Sequence, residues 1–551
     1  MNSPIYSEFI KHADRFVADY MAGARPSGGA HTKVIHDCVW GTVMFYPWEL
    51  EIIDSPLLQR LRRINQLGLA MFTYPSAHHS RFEHTLGVVA VISQMIAGVN
   101  RQDDAAAQKG EPPLSGADVR KLRLAALLHD VGHCFFSHLS ESIYGSYPEM
   151  RALKDEVADF SGAQPHEMFA YIIINTPTFR RFFEQTSYPF EGEEPERILS
   201  DVAKMIVGAP IEVRDGVRPA YLTEMINGQF DADALDYLRR DSYATGLALT
   251  YHLDRFLYKL RIADRVGDDG IIERHFTVPV SGISTVEEMV FSKLMLTRYI
   301  YQHQKVVAVE SLLGDLVSGM RRGGKLCHPC DFLYLCDNDI FSLGSSRDSA
   351  MRPAAALWRL SDKSERCVGD IASSILLRRL PKKAMVLNVQ NIDMIDGERG
   401  ASAQALAEKL RSIEGLREKI AAEAAEIAKR AGFPIPEIYD IHVAVPKVST
   451  AKNFSRTPVL AYDGNFIPMA EAVDLNDWAA SFGANSYNAY IFSTPESLPA
   501  VSLGALSVLE RYGVVCLRDR IFSSLKEASV IEETAKKLSI KYNEINYLYK
   551  S

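Results

Sequence analysis

Seven of the fifteen histidines fall between residues 78 and 166, and the strings around them hold residue types that bind metals and move protons. In LLHDVGHCFFSH, His129 and Asp130 are adjacent, His133 follows at i+4 and His138 five positions later. Positions i and i+4 share a helix face, so His129 and His133 are expected to look into one cavity, flanked by Asp130. The preceding LRLAALL is strongly apolar and predicts a buried helix. A buried carboxylate is costly without a partner, and a metal is one natural partner. His84 stands in HHSRFEHTLG at the start of another apolar helix. In FDADALDYLRRDS, Asp233, then Asp236 or Tyr237, then Arg240 or Asp241 recur at helical spacing and define one polar face. Two imidazoles and two carboxylates, His84, His129, Asp130 and Asp233, suit a borderline divalent ion such as Fe, Mn, Ni, Co or Zn. Such an ion acidifies a bound water and polarises a phosphoryl group. A lone helical His-Asp pair is more often structural than a ligand pair. Here the set also includes His133, His138 and the pair His166-Glu167, and the whole set points to a site.

These residues must be held by helices. SPLLQRLRRINQLG (55–68) has Leu57, Leu58, Leu61 and Ile64 on one face after a Ser-Pro helix start. RFEHTLGVVAVISQMIAGV (81–99) reads as a mostly apolar helix, and residues 117–143 as helical for most of their length. Residues 144–165 read as a polar, irregular flap. Further helices are expected at 166–175, 197–206, 221–227, 233–243 and 285–320. Upstream, KVIHDCVWGTVMF reads as a short hairpin with Gly41 at its turn. RGGKLCHPC and DNDIFSLGSSRD look like loops, MVLNV and YDIHVAV like strands, and 402–432 like a strong helix. The tail, 497–551, reads as mixed and ends in a helix. The fold class is therefore mainly α, a helical core with a smaller mixed α+β C-terminal region. The expected division is 1–32 an extension, 33–322 the helical domain that carries these residues, 323–365 a linker or insertion, and 366–551 a regulatory or oligomerisation region.

Composition narrows the partners. A chain of 551 residues with net charge −8 lacks the basic balance of a broad nucleic-acid surface. Its seven scattered cysteines suggest no disulfide framework and fit a reducing cytoplasm. No signal-peptide pattern and no run of about 18 apolar residues is evident, so no membrane span is expected. Cys327-His328-Pro329-Cys330 with Cys336 nearby is incomplete as a zinc site.

RFEHTLG, LLHDVGHCFFSH, His166-Glu167 and DADALDYLRRDSYATG, in this order, resemble the HD-domain deoxynucleoside triphosphate triphosphohydrolases, which include bacterial dGTPases and the human SAM-and-HD-domain enzyme; no stretch here matches a SAM domain. The similarity covers roughly residues 33–320 and is faint beyond. It implies a metal on His84, His129, Asp130 and Asp233, with Mg added to the candidate ions. It implies a catalytic group of His133, His138, Glu141, His166 and Glu167, with His138 the general acid and Glu141 its orienting carboxylate. Water or hydroxide would attack the α-phosphorus and release deoxynucleoside and intact triphosphate. Arg81 would brace the nucleotide, Gln66 and Asp241 bind the 3′-hydroxyl, and Tyr237 and Tyr301 pack on the sugar. Arg298 and His303 would touch phosphates or base.

The resemblance also implies an activating nucleotide on Lys33, Asp54, Gln59, Arg62, Arg378 and Lys382, in a homo-oligomer with a tetramer favoured, and a role in nucleotide balance or antiviral (anti-phage) defence. Two departures stand out. His36 replaces an Asn of the effector site, and Ala234 replaces the Lys or Arg that follows the metal aspartate and reaches the triphosphate. Ala234 favours one rival, an HD phosphodiesterase or nucleotidase on monophosphates or cyclic nucleotides; a second, a non-catalytic nucleotide sensor or RNA-binding scaffold, is opposed by the intact metal set and the acidic balance.

Overall fold

Gly41 takes φ +72° and closes an antiparallel hairpin of β1 (Lys33–Asp37) and β2 (Gly41–Phe45), pairing Val34 with Met44 and Lys33 with Phe45. A positive φ is the region only glycine enters freely, which is why the hairpin turns there. The computed structural model describes residues 3–29, 31–101, 114–249, 251–345, 362–400, 402–447, 458–473 and 487–517, with 533, 534 and 536 besides. The expected helix at the end of the tail lies outside these residues.

The chain divides into two compact units, one of 1–296, 317–372 and 452–475, the other of 297–316, 373–451 and 476–551. In the first unit, α1 (Pro4–Tyr20) buries Phe9, Ala13, Phe16 and Val17 along one stripe. The helix α2 (Arg81–Asn100) begins with a capping box between Ser80 and Glu83. It is apolar on all sides and long enough to cross a membrane, yet most of it is enclosed by protein, the usual reason for an all-apolar helix in a globular core. It packs against α3 (Gly116–Leu128), and the site is completed by α4 (His138–Tyr144), α5 (Pro165–Ile174), α6 (Ala232–Thr245) and α7 (Ile283–Leu296).

Several expected helices are interrupted, each for a local reason. The 117–143 helix stops at Leu128, and residues 129–137 form a turn before α4 restarts at His138. Phe136 and Ser137 sit at φ +53° and +56°. Gly132 lets this turn press on α5, since a Cβ there would fall 2.1 Å from the His166 carbonyl oxygen. His129 and His133 therefore both approach Asp130 Oδ1, at 3.4 and 3.3 Å, through a turn and not through helical i, i+4 spacing. The 285–320 helix breaks after Leu296 into a π-helical turn, Thr297–Tyr301, and resumes as Gln304–Arg322. The polar stretch 144–165 contains the helix Pro148–Glu156 rather than an irregular flap. DNDIFSLGS, expected as loop, is the helix Asp337–Ser345, and the 3-10 turn before it buries Pro329, Cys330, Phe332 and Leu333.

The second unit mixes strands and helices. β3 (Lys382–Leu387) and β4 (Ile441–Ala444) flank β5 (Ala489–Ser493) in one antiparallel sheet. The long helix expected at 402–432 is split at Gly415, φ +64°, into α8 (Ala403–Ser412) and α9 (Leu416–Ala431). Leu406, Leu410, Ile420 and Ala424 meet Met385, Ile491 and Leu506 in its core, the last from α10 (Leu498–Arg511). A mainly α fold with a mixed C-terminal region is what the structure shows.

Candidate active site

α6 owes its start to Asp231, whose side chain caps Ala234 N at 2.7 Å and Gly228 N at 2.9 Å. That cap sets Asp233 in the first turn, with Oδ1 2.9 Å from His84 Nε2. His84 is wholly buried on α2, and its Nδ1 lies 2.7 Å from Asp236 Oδ2. His129 caps the end of α3, and its Nδ1 lies 2.8 Å from the Ala126 carbonyl. Both Nδ1 atoms face acceptors, so each carries its ring proton there, and the two Nε2 atoms meet 3.4 Å apart. Asp130 comes in from the side, with Oδ1 3.4 Å from His129 Nε2 and Oδ2 3.8 Å from His84 Nε2. Two imidazole nitrogens converging with the Asp130 carboxylate, each ring fixed by an outer acceptor, fit a divalent cation; Asp233 stands beside His84 Nε2 but outside that group of three. Burial works against a charged His84, but in the metal-free chain hydrogen bonds to Asp233 and Asp236 outweigh it and raise the imidazole to about 10, so a metal bound there would displace the Nε2 proton. Asp233 is correspondingly held well below the carboxylate range by His84, against the effect of burial.

The outer shell is a chain of charges that sequence reading left out of the site. Asp236 accepts from Arg240 Nε at 2.8 Å and from Trp40 Nε1, and Arg240 Nη2 donates to Asp37 at 2.9 Å. Asp236 lies three positions after Asp233, the spacing that put it on the same polar face in the sequence, where it was given no role at the site. Gly87 on α2 leaves it room: a Cβ there would fall 2.0 Å from Asp236 Oδ1 and 2.2 Å from the Arg240 guanidinium. Gly87→Ala is therefore expected to push Asp236 off His84, costing ~1–3 kcal/mol of stability and a large share of bound metal. Thermal unfolding and metal analysis check this, and a variant with wild-type values of both would contradict it.

A second cluster adjoins the first. His133 is fully buried, 3.3 Å from Asp130 Oδ1, and stacks on His166 with ring centroids 3.9 Å apart. Burial, Arg81 and His166 hold it well below the ordinary histidine range, so it is a neutral imidazole. Glu141 bridges the other two histidines, with Oε2 2.5 Å from His138 Nδ1 and Oε1 2.9 Å from His166 Nδ1. Burial would lower His166, but Glu141 raises it to about 9. His138 is the exposed member, its side chain 65% accessible, so Nε2 is free to meet a ligand while Nδ1 is held. Glu167 does not join this cluster. Its oxygens accept from Gln164 N at 2.6 Å and Asn227 Nδ2 at 2.9 Å, which caps α5 beneath His166.

The remaining expected residues scatter more widely. Arg81 is buried, bound to Asp130 at 2.9 Å and Ser137 Oγ at 3.0 Å, and its Nη2 has no partner among the described residues. Gln66 Oε1 is likewise buried and unpartnered among the described residues. Asp241 pairs with His79 Nε2 at 2.9 Å, and His79 was not anticipated. Neither Arg239 nor Arg240 replaces the cation missing at Ala234, which is itself buried. Arg239 lies 5.0 Å from the Trp40 ring centroid, and Arg240 is bound to Asp236 and Asp37. Instead Lys293 from α7 comes within 6.0 Å of the Tyr237 ring centroid, and the Tyr237 phenol, with Asp231 and Asp233, holds it above the usual lysine value. Arg298, Tyr301 and His303 belong to the second unit, on and just after the π-helical turn. The expected effector residues divide in the same way. Lys33 and Asp54 are exposed, and Gln59 accepts from Arg62 Nε at 2.7 Å, all in the first unit, while Arg378 and Lys382 lie in the second. Among the described residues, no cysteine belongs to a group placed to hold a metal; His328 groups with Glu8 and His12 instead of with Cys327 or Cys330.

The HD domain family model matches residues 81–240, the span that runs from Arg81 on α2 to Arg240 on α6. The deoxynucleoside triphosphate triphosphohydrolase SAMHD1 of Mus musculus is 28% identical over 301 residues, 51% of this chain and 43% of the relative. The uncharacterized protein MJ1154 of Methanocaldococcus jannaschii is 29% identical over 284 residues, 51% of this chain and 48% of its own. The putative HD domain-containing protein L394 of Acanthamoeba polyphaga mimivirus is 24% identical over 373 residues, 66% of this chain and 75% of its own. The match thus spans under half the length of the first two relatives. With the His-Asp cluster inside the matched span, the chain carries an HD domain and over about half its length is similar to the deoxynucleoside triphosphate triphosphohydrolase SAMHD1.

Proposed function

We propose that this chain is a dNTP triphosphohydrolase that cleaves at the α-phosphorus and releases deoxynucleoside and inorganic triphosphate. The observation that carries the reading is Glu141 bridging His138 and His166 beside the His84, His129, Asp130 and Asp233 set. A bound divalent metal supplies Lewis-acid polarisation of the phosphoryl group and an acidified water. His133, neutral and wedged between Asp130 and His166, offers a hydrogen bond to a phosphate oxygen without adding charge. His166, kept cationic by Glu141, balances the phosphate charge. His138 protonates the leaving 5′-oxygen through Nε2 while Glu141 fixes its other nitrogen. The buried, unpartnered Arg81 Nη2 and Gln66 Oε1 suit a phosphate oxygen and a sugar hydroxyl, and Asp241 and Tyr237 complete the sugar site.

Lys293, on a different helix and 6.0 Å from the Tyr237 ring centroid, is the cation we assign to the β- and γ-phosphates in place of the one that Ala234 lacks. Lys293→Ala is expected to raise KM for a dNTP about tenfold or more, the worth of one charge-assisted contact, with a smaller effect on kcat. Each dNTP and NTP, singly and in pairs with Mn and Mg, tests the activity itself; resolving nucleoside and triphosphate supports the reading, and release of orthophosphate or of a nucleoside from monophosphates alone overturns it. The rival reading, an HD phosphodiesterase or nucleotidase on monophosphates, is favoured by Ala234 and predicts no dependence on Lys293. Paired nucleotides matter because the reading includes an activating nucleotide on Lys33, Asp54, Gln59, Arg62, Arg378 and Lys382 in a homotetramer, working in the cytoplasm and serving nucleotide balance or defence against phage.

A further inference from the structure

The turn 129–137 carries a backbone that its own sequence does not favour. Phe136 and Ser137 are consecutive non-glycine residues at φ +53° and +56°, and Ser137 has ψ −127°, a combination that L-residues avoid. Surrounding structure must impose it. Three groups do so. Asp337 Oδ1 accepts from Phe136 N at 2.6 Å, and its Oδ2 from Asn65 N at 2.9 Å. Arg60 Nη2 donates to the carbonyls of Val131 and His133, both at 2.8 Å, and its Nη1 to Leu333 at 3.3 Å. Ser137 Oγ donates to the Asn65 carbonyl at 2.5 Å. Asp337 is 2% exposed and Arg60 1%, so both are ionisable side chains enclosed in protein and spent on backbone atoms of one turn; burial raises the Asp337 carboxyl to about 7 against the pull of the Phe136 and Asn65 N–H donors. Neither lies within the 81–240 span of the HD domain.

We infer that Asp337 is a positioning residue of the active site: by holding the Phe136 and Asn65 N–H groups it fixes the turn that sets His133 and His138 against each other. His133 precedes the held peptide and His138 follows it, and their rings meet edge to face at 5.0 Å. The geometry is chemically economical, since a carboxylate can accept two N–H donors at once, whereas an amide in its place turns a donor toward one of them. The metal ligands His129 and Asp130 lie before the strained pair and are anchored by α3 and by Arg81, which touches the pair only at Ser137 Oγ.

The inference rests on the phosphohydrolase reading for its kinetic consequence but not for its geometry. Asp337→Asn, which keeps side-chain size, is expected to lower kcat about 10²-fold, with KM and metal stoichiometry within about twofold of wild type. Alongside kinetics, the imidazole Hε1–Cε1 resonances of the full-length protein are compared, with exposed His252 as the reference. His133 and His138 are expected to shift in the variant and His252 to stay. A folded Asp337→Asn chain with unchanged His133 and His138 resonances overturns the inference, as does a loss of activity that follows loss of metal. Wild-type protein that hydrolyses no nucleotide sinks the functional reading alone, and the resonances then decide this one.

Discussion

Asp233→Ala is expected to leave a folded chain that no longer retains its metal and turns over at least about 10³-fold more slowly. The number follows from the role. A metal contributes several kcal/mol of charge stabilisation to a phosphoryl transition state, and ~4 kcal/mol is a factor of about 10³. Loss of an outer-shell partner typically costs about 10–100-fold in metal affinity, and loss of a direct ligand costs more. Asp233 is the cleanest ligand to remove because its side chain is 39% exposed, whereas that of Asp130 is 2% exposed and pairs with buried Arg81. Asp130→Ala leaves that guanidinium without its partner carboxylate, a loss of ~3–5 kcal/mol for a broken buried pair, so its effect on activity is confounded with unfolding. The comparison is therefore diagnostic. Metal content by elemental analysis, thermal unfolding and turnover are measured on both variants. Asp233→Ala with wild-type metal content and rate would remove Asp233 from the ligand set, and with it the assignment of the site.

How much of this was legible in the sequence depends on the range of the interaction. The residues of the metal set announced themselves because histidine and aspartate are costly inside apolar helices, and the strings around His84, His129 and Asp233 are apolar on at least one side. Glu141 was reached only through the resemblance, which implies an orienting acid three residues after His138. The reason His129 and His133 converge was misjudged, because periodicity sees a helix wherever apolar residues recur and cannot see a backbone forced to positive φ by side chains from elsewhere. Those side chains, Arg60 and Asp337, are separated from the turn by about 70 and 200 positions, and nothing local marks them. Asp337 sits in a stretch that reads as loop because of its Asp, Asn, Gly and Ser content, although the structure makes it a helix start. His79 and Lys293 went unnoticed for the same reason, since their partners Asp241 and Tyr237 lie on another helix. Glu167, which the resemblance placed in the catalytic set, has a local role as well: Pro165 starts a helix there, and at the third position of that helix the glutamate closes a capping box.

Glu141→Gln is the sharper test of the chemistry. Glu141 is held well below the ordinary carboxylate range because His166 and His138 outweigh the cost of its burial. A glutamine can accept from one histidine, and its amide turns a donor toward the other, so His138 and His166 cannot both keep their present tautomers. Turnover is expected to fall about 10²–10³-fold, within the usual contribution of a positioned acid. Metal content is expected to hold, because neither Glu141 oxygen faces the His84–His129 set. The pH dependence of stability carries a second signature. His166 is raised above its unfolded value of about 6.5 to about 9, so its contribution is fully present below the lower value and is lost as pH rises through the upper one. Without Glu141 that slope disappears from unfolding curves between these limits. Glu141 itself contributes in the other direction, with stability present above the ordinary glutamate value and lost as pH falls through its depressed one, and the variant also lacks this acid-side loss. Leaving-group dependence separates the two possible origins of a slow rate. A substrate that expels nitrophenolate needs no proton on its leaving oxygen, so the defect of Glu141→Gln is expected to shrink on it if His138 is the acid. An equal defect on both substrates would mean that Glu141 serves the phosphate-binding histidine His166 and that the proton comes from another group.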